Sequence, residues 1–142
     1  MSAIIEVVGV ITGSAKSAYD LLNTINNKLD SDILSIIDSF DIQNKLDVYR
    51  LLILEFPDTS SDAIKNCLVG VKDVIVEIES KLKEIKEKVE AEKSWWLSKI
   101  KSYFLLKDIR NLERLIKKLD SRIESLKTIS QISRLFLLTG CN

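Results

Sequence analysis

The chain of 142 residues contains no histidine, one proline and four glycines. Histidine is the side chain most used for acid–base catalysis near neutral pH and the commonest metal ligand. Its absence excludes a Ser/His/Asp triad, a Cys/His pair and a typical zinc site within this chain. Carboxylates such as Glu77, Glu84, Asp120 and Glu124 are expected on exposed helix positions beside lysines. We therefore expect neither an enzyme nor a bound cofactor or metal.

Cysteine is also scarce, and long apolar runs are missing. Cys67 and Cys141 match neither a CxxC motif nor a disulfide framework, which favours a reducing cytosol. No basic region precedes the apolar N-terminal stretch, as a secretory signal would require. A helix over residues 3–15 would rise only about 20 Å, which is short of the roughly 30 Å hydrocarbon core of a bilayer. The sequence predicts a cytoplasmic protein with no constitutive membrane span.

Apolar residues recur at spacings of three and four along most of the chain, the period of helices that bury one face. Residues 30–32 can cap a second helix, and Pro57 with the possible Thr59/Asp62 capping box marks a turn before the third. The pattern predicts four helices, at about 3–29, 31–56, 60–92 and 105–138. Turn dipeptides and strand-like alternation are lacking, so the predicted class is all-α.

Short connections between long amphipathic helices favour antiparallel neighbours. We therefore predict that residues 1–142 form one domain, an antiparallel up-down four-helix bundle. Its second helix has a kink or a short break where the apolar phase slips at residues 41–44, and its third connection is basic and aromatic. An extended coiled coil is the competing architecture, but the Pro57 turn, the interruption at 95–104 and the lack of one heptad phase argue against it.

The formal net charge of zero conceals an asymmetry. Residues 1–60 contain four basic and nine acidic side chains, a net charge of −5, whereas 61–142 have a net charge of +5. The stretch from Lys93 to Arg134 alone has eleven basic and four acidic residues. The acidic half opposes nucleic-acid binding, and no nucleic-acid-binding module is present, so nucleic acid is not an expected partner.

The third predicted connection, residues 93–107, interleaves lysines with four of the nine aromatic residues. Tryptophan and tyrosine favour the water–lipid boundary and lysine favours anionic head groups, so this composition suits a peripheral membrane contact. Alternatively, the aromatic rings close the end of the bundle and the lysines keep the connection hydrated. The residues expected to bind lipid are Trp95, Trp96, Lys99, Lys101, Lys107, Arg110, Arg114, Lys117 and Lys118.

The first helix contains a Gly-x-x-x-Gly spacing at Gly9 and Gly13, which permits close approach of another helix. Two glycines inside a helix cost roughly 1 kcal/mol each relative to alanine, so a compensating contact is expected. Tight packing inside the bundle would supply it. Alternatively, this helix leaves the bundle and enters a bilayer or an oligomer. The residues expected to insert or to oligomerise are Ile4, Ile5, Val8, Gly9, Ile11 and Gly13.

The order of these features resembles the four-helix-bundle cell-death domains of MLKL, the fungal HeLo and HeLo-like proteins, and the coiled-coil domains of plant helper immune receptors. An apolar, small-residue helix leads, and a charged helix with an early cysteine at Cys67 follows the Pro57 turn. A basic connection then precedes a last helix that contains residues 112–123. The resemblance covers nearly all of the chain.

This resemblance implies an executioner domain that an upstream protein activates, that forms homo-oligomers and that then binds and permeabilises anionic phospholipid membranes. It also implies movement from the cytoplasm to a membrane on activation. The 142 residues contain no kinase-like, nucleotide-binding or amyloid segment after the bundle. An isolated domain, a single-domain relative and a decoy that silences a homologue therefore all remain open. The alternative function is a soluble module that binds another helix or a homologous bundle without acting on membranes.

Overall fold

The computed structural model describes residues 3–57, 60–91 and 98–138, and the side chains of all of these except 3, 98–104 and 135–138. These residues are helical apart from short connections, with no strand among them, so the all-α prediction is confirmed. The helices are α1 (Ala3–Asn26), α2 (Ser31–Asp38), α3 (Ile42–Leu54), α4 (Asp62–Ala91) and α5 (Ser98–Leu138).

The first helix buries the apolar stripe that the sequence predicts. Ile11, Ala18 and Ile25 are fully buried, and Val8 packs against the same core at partial burial. These residues share one face because residues three and four apart lie above one another on a helix. The helix ends at Asn26, three residues before the predicted boundary.

The second predicted helix, 31–56, is two helices. Asp30 caps α2 as expected, since its carboxylate accepts a hydrogen bond from the backbone N–H of Ile33 at 3.0 Å. The chain then turns, and Asp41 adopts the left-handed conformation with φ of 55° before α3 begins. Aspartate tolerates this conformation better than most residues. The turn lets Phe40 and Ile42 both face the core, which a straight helix would not allow at a spacing of two.

The last two helices are long. Ser61 caps α4 by accepting a hydrogen bond from the N–H of Ile64 at 3.3 Å, while Thr59 of the predicted capping box lies outside the described residues. Helix α5 begins at Ser98, seven residues before its predicted start, because no glycine or proline interrupts residues 98–138. Much of the predicted third connection is therefore helical. At 1.5 Å per residue α5 is about 60 Å long and α4 about 45 Å.

A single apolar core joins the helices. Helix α1 packs mainly against α4 and also against α3, and α4 packs against α5. Lys28, two residues beyond α1, lies 2.9 Å from Glu90 at the C-terminal end of α4. Arg122 of α5 donates to the carbonyl oxygen of Gly70, near the start of α4, at 2.6 Å. The predicted stripe of α4 is buried throughout: Ile64, Leu68, Val71, Ile75, Ile78, Leu82, Ile85 and Val89.

Candidate functional site

Four basic residues of α5 form one exposed line, which we call the basic stripe: Lys107, Arg110, Arg114 and Lys117. Their spacings of three, four and three place them on one side of the helix, opposite the buried Leu112. The stripe spans about 15 Å along the helix axis. Four of the nine predicted lipid-binding residues are thus brought together on one surface.

The charges of the basic stripe are largely uncompensated. Lys117 lies 3.6 Å from Glu113, an exposed pair of the kind that contributes little. Within the part of the chain that the structure describes, Lys107, Arg110 and Arg114 have no carboxylate within 4.0 Å. An exposed row of unpaired cations attracts polyanionic surfaces.

The other predicted lipid-binding residues are placed less uniformly. Lys118 flanks the basic stripe and lies 4.0 Å from Glu77 of α4. Lys99 and Lys101 belong to α5, and their side chains lie outside those that the structure describes. Trp95 and Trp96 lie outside the described residues.

The predicted insertion residues of α1 lie on two different faces. Ile4 and Ile11 are buried in the core, and Val8 packs against it. Ile5, by contrast, is 54% exposed. Gly9 and Gly13 are exposed as well.

The prediction that Gly9 and Gly13 pack tightly inside the bundle is wrong. Among the described residues, a Cβ added at either glycine would meet no atom within 4 Å other than those of the adjacent helix backbone and chain neighbours. Both glycines stand one and two turns after the exposed Ile5, away from the buried stripe of α1. The helix therefore contains two glycines for which contacts within the described chain provide no compensation.

The charge of Asp108 predicts an exposed position on the last helix, and that expectation is wrong. Asp108 is 4% exposed. Its carboxylate accepts hydrogen bonds from Lys88 at 2.8 Å and from Lys81 at 3.4 Å, both on α4. Lys81 also donates to Glu84, and this bond is the main reason that the pKa of Lys81 lies above its ordinary value. The buried carboxylate thus fastens α5 to α4 directly beside the start of the basic stripe.

The position of Asp108 had a signal in the sequence. It lies three residues after Leu105 and four before Leu112, which is the spacing of the buried line.

A second polar cluster joins α3 to α5 and contains Asp120. The sequence predicts Asp120 to be an exposed carboxylate beside lysines of its own helix, whereas two side chains of α3 bind it. The hydroxyl of Tyr49 donates to Asp120 at 2.6 Å, and Lys45 donates to the other carboxylate oxygen at 2.7 Å. Burial, together with the hydrogen bond and negative charge of Asp120, raises the pKa of Tyr49 far above its ordinary value of 10.0. Both partners of Asp120 come from a helix more than 70 residues earlier, so local spacing gave no indication of them.

Within the described ranges, no helix combines the length and apolarity required to cross a bilayer. The same ranges contain no group of three His, Cys, Asp or Glu residues that could hold a metal ion. Comparisons with protein-family models, with curated proteins and with solved structures found no match to this chain. The geometry of the described surfaces therefore carries the functional argument.

Proposed function

We propose that this protein is a membrane-targeting domain that binds anionic phospholipids through the basic stripe, forms homo-oligomers on activation and then permeabilises the membrane. The supporting observation is the exposed line of Lys107, Arg110, Arg114 and Lys117, of which three have no acidic partner among the described residues. An upstream protein would trigger the move from the cytoplasm to the membrane. The resemblance to MLKL and HeLo-like domains supports a role in cell death or immunity.

The strength of the basic stripe suits a switch that depends on assembly. A basic residue near an anionic surface contributes about 1 kcal/mol, so four contribute roughly 4 kcal/mol. That free energy corresponds to a dissociation constant of about 1 mM, which leaves a monomer mostly unbound. An oligomer presents several stripes at once and binds far more tightly through avidity.

Insertion of α1 would be a second, more costly step. Ile4, Ile11, Leu22 and Ile25 are at most 4% exposed, and removing each from the core costs roughly 1.5–3 kcal/mol. The sum of roughly 6–12 kcal/mol is comparable to the whole stability of a typical domain. We propose that membrane docking of the intact bundle comes first and that the oligomer compensates the release of α1.

The finer architecture that we propose is an antiparallel up-down bundle. Contacts between α4 and α5 support it, because Lys118 meets Glu77 whereas the later Arg122 meets the earlier Gly70. In this arrangement the basic stripe runs along the outside of the last helix and can lie flat on a membrane.

Co-sedimentation with vesicles tests the docking step. We expect the wild-type oligomer to bind vesicles that contain phosphatidylserine and not to bind vesicles made purely of phosphatidylcholine. The double variant Arg110→Glu/Arg114→Glu should bind at least about tenfold more weakly, since two attractions of about 1 kcal/mol each become repulsions. The matched control is Lys83→Glu/Lys127→Glu, which makes the same change in net charge at exposed residues away from the basic stripe. Equal binding by the two variants, or equal binding to both vesicle types, would remove the proposal.

Vesicle leakage tests the insertion step. Deletion of residues 2–13 should abolish release of an entrapped dye while binding to anionic vesicles persists. Circular dichroism checks that the shortened protein is still helical. Unchanged leakage would exclude a role for the start of α1 in permeabilisation.

The alternative function is a soluble helical interaction or decoy module that does not act on membranes. The half-exposed apolar residues Val48, Leu51 and Leu54 on α3 favour it, because exposed apolar surface often marks a protein contact. Binding to a homologous bundle without any vesicle leakage would support this function over the first.

A further inference from the structure

Helix α3 has an exposed face that its contacts within the described chain do not cover, and we call it the acidic face of α3: Asp47, Val48, Leu51, Leu54 and Glu55. Its three apolar side chains are 49%, 53% and 53% exposed. Asp47, Leu51 and Glu55 follow one another one helical turn apart, and Val48 and Leu54 stand on either side of that line. The face therefore combines an apolar centre with acidic ends over about 12 Å.

The chemistry of this face favours a basic helix as its partner. An anionic bilayer would be repelled by Asp47 and Glu55, so the membrane proposed above is a poor occupant for it. Within the described part of the chain, Asp47 forms one exposed ion pair, with Arg50 at 3.0 Å, which an incoming cation can replace at little cost. The alkyl stems of lysine and arginine can also cover exposed leucine side chains while their charged ends reach carboxylates.

The chain itself contains a surface of this kind. The basic stripe spans about 15 Å, close to the length of the acidic face of α3, and both surfaces are exposed on the outside of their helices. Residues 1–60 have a net charge of −5 and residues 61–142 a net charge of +5. Contact between the first part of one copy and the second part of another therefore brings opposite charges together. Opposite potentials on two surfaces of matched length favour association in a defined orientation.

We propose that a second copy of this chain docks its basic stripe on the acidic face of α3. The contact covers the half-exposed Val48, Leu51 and Leu54 and at the same time hides the residues that would otherwise meet an anionic surface. Self-association through this contact and binding to lipid are then mutually exclusive at any one stripe, so this contact differs from the one that holds together the membrane-bound oligomer of the proposed function. The contact is ionic and is lost at high salt, because mobile ions screen exposed charges beyond about 3 Å at 1 M.

Sedimentation velocity on complementary charge-reversal variants tests the proposal. The first variant, Asp47→Lys/Glu55→Lys, has two basic surfaces, and the second, Arg110→Glu/Arg114→Glu, has two acidic ones. We expect wild-type protein to self-associate at low salt and to dissociate at about 1 M salt. Each variant alone should be monomeric, with self-association at least about tenfold weaker than in the wild type. A one-to-one mixture of the two variants should restore association, because each then meets a surface of opposite charge.

Three results would overturn the proposal: a wild type that stays monomeric at low salt, a first variant that associates as the wild type does, or a mixture that stays monomeric. Leu51→Gln is a second variant that leaves every charge in place, and it should also weaken association because it removes apolar surface at the centre of the contact. Circular dichroism confirms that each variant is folded.

The same proteins separate this inference from the membrane proposal. The first variant retains the basic stripe, so we expect it to bind phosphatidylserine vesicles at least as well as the wild type while it no longer self-associates. A wild type that associates through the predicted surfaces but ignores vesicles would remove the membrane proposal and keep this one. If the first variant self-associates as the wild type does and also binds vesicles normally, this inference is overturned and the membrane proposal stands.

Discussion

The two exposed glycines of α1 lead to a stability prediction that runs against the usual effect of mutation. Gly9 and Gly13 lie inside a helix, and a Cβ at either position would meet no atom within 4 Å from any other described part of the chain. Alanine removes backbone freedom from the unfolded chain and gains about 0.5–1 kcal/mol over glycine in a helix interior. We expect Gly9→Ala and Gly13→Ala together to raise the free energy of unfolding by about 1–2 kcal/mol. At this chain length the melting temperature should rise by roughly 3–6 °C.

Gly70 is the matched control, because it is also inside a helix but has a neighbour. A Cβ there would lie 3.3 Å from Nη1 of Arg122, the same nitrogen that donates to the Gly70 carbonyl oxygen at 2.6 Å. Displacing Arg122 would offset the gain in helix propensity, so Gly70→Ala should give no stabilisation. Urea unfolding followed by circular dichroism measures all three variants.

A loss of stability in Gly9→Ala and Gly13→Ala would contradict this prediction. That result would mean that the side of α1 with Gly9 and Gly13 packs against another molecule in solution. If instead both substitutions stabilise the protein but reduce vesicle leakage, the glycines serve the proposed insertion step at the expense of the stability of the bundle.

The polar clusters give two further predictions. Asp108→Asn removes the charge from two hydrogen bonds of a buried carboxylate and should lower the free energy of unfolding in urea by about 1.5–3 kcal/mol. The control Glu113→Gln, at an exposed ion pair, should lower it by less than about 1 kcal/mol. Equal losses in the two variants would contradict the buried ionic role of Asp108. The raised pKa of Tyr49 means that the folded state favours its neutral form. Its contribution is complete below pH 10.0 and is lost as the pH rises through the higher folded-state pKa. Tyr49→Phe should therefore reduce the loss of stability above pH 10.0, and an unchanged alkaline profile would show that the contact with Asp120 is not made in solution.

The sequence predicted the helices well because burial follows the helical period. The lines through Ile11 and Ile25 in α1 and through Leu68 and Leu82 in α4 are buried as the spacing indicated. The slip of phase near Asp41 marked the position of the turn, although it left a kink and a break between α2 and α3 equally open. In each case the determining contacts repeat every three or four residues along one segment, so the pattern is local.

The candidate site was harder to predict because its electrostatics depend on contacts between distant segments. The spacing of Arg110 and Arg114 was sufficient to place them on one exposed line. The burial of Asp108 depends on Lys81 and Lys88 of another helix, and the partners of Asp120 come from α3. The exposure of Gly9 likewise depends on which side of α1 its neighbours occupy, and a Gly-x-x-x-Gly spacing alone does not specify that.

The pairing of α1 with α4 affects how the protein is made. The ribosome adds about 5–20 residues per second, so the 65 residues between Asn26 and Ala91 take roughly 3–13 s to appear. During that interval α3 is the other described helix against which α1 packs, and the surface of α1 that α4 will cover stays in contact with water. The most apolar of the three long helices α1, α4 and α5 is thus the first of them to be synthesised, and it waits for its main partner. During translation it is the segment most available to chaperones, to other nascent chains and to membranes.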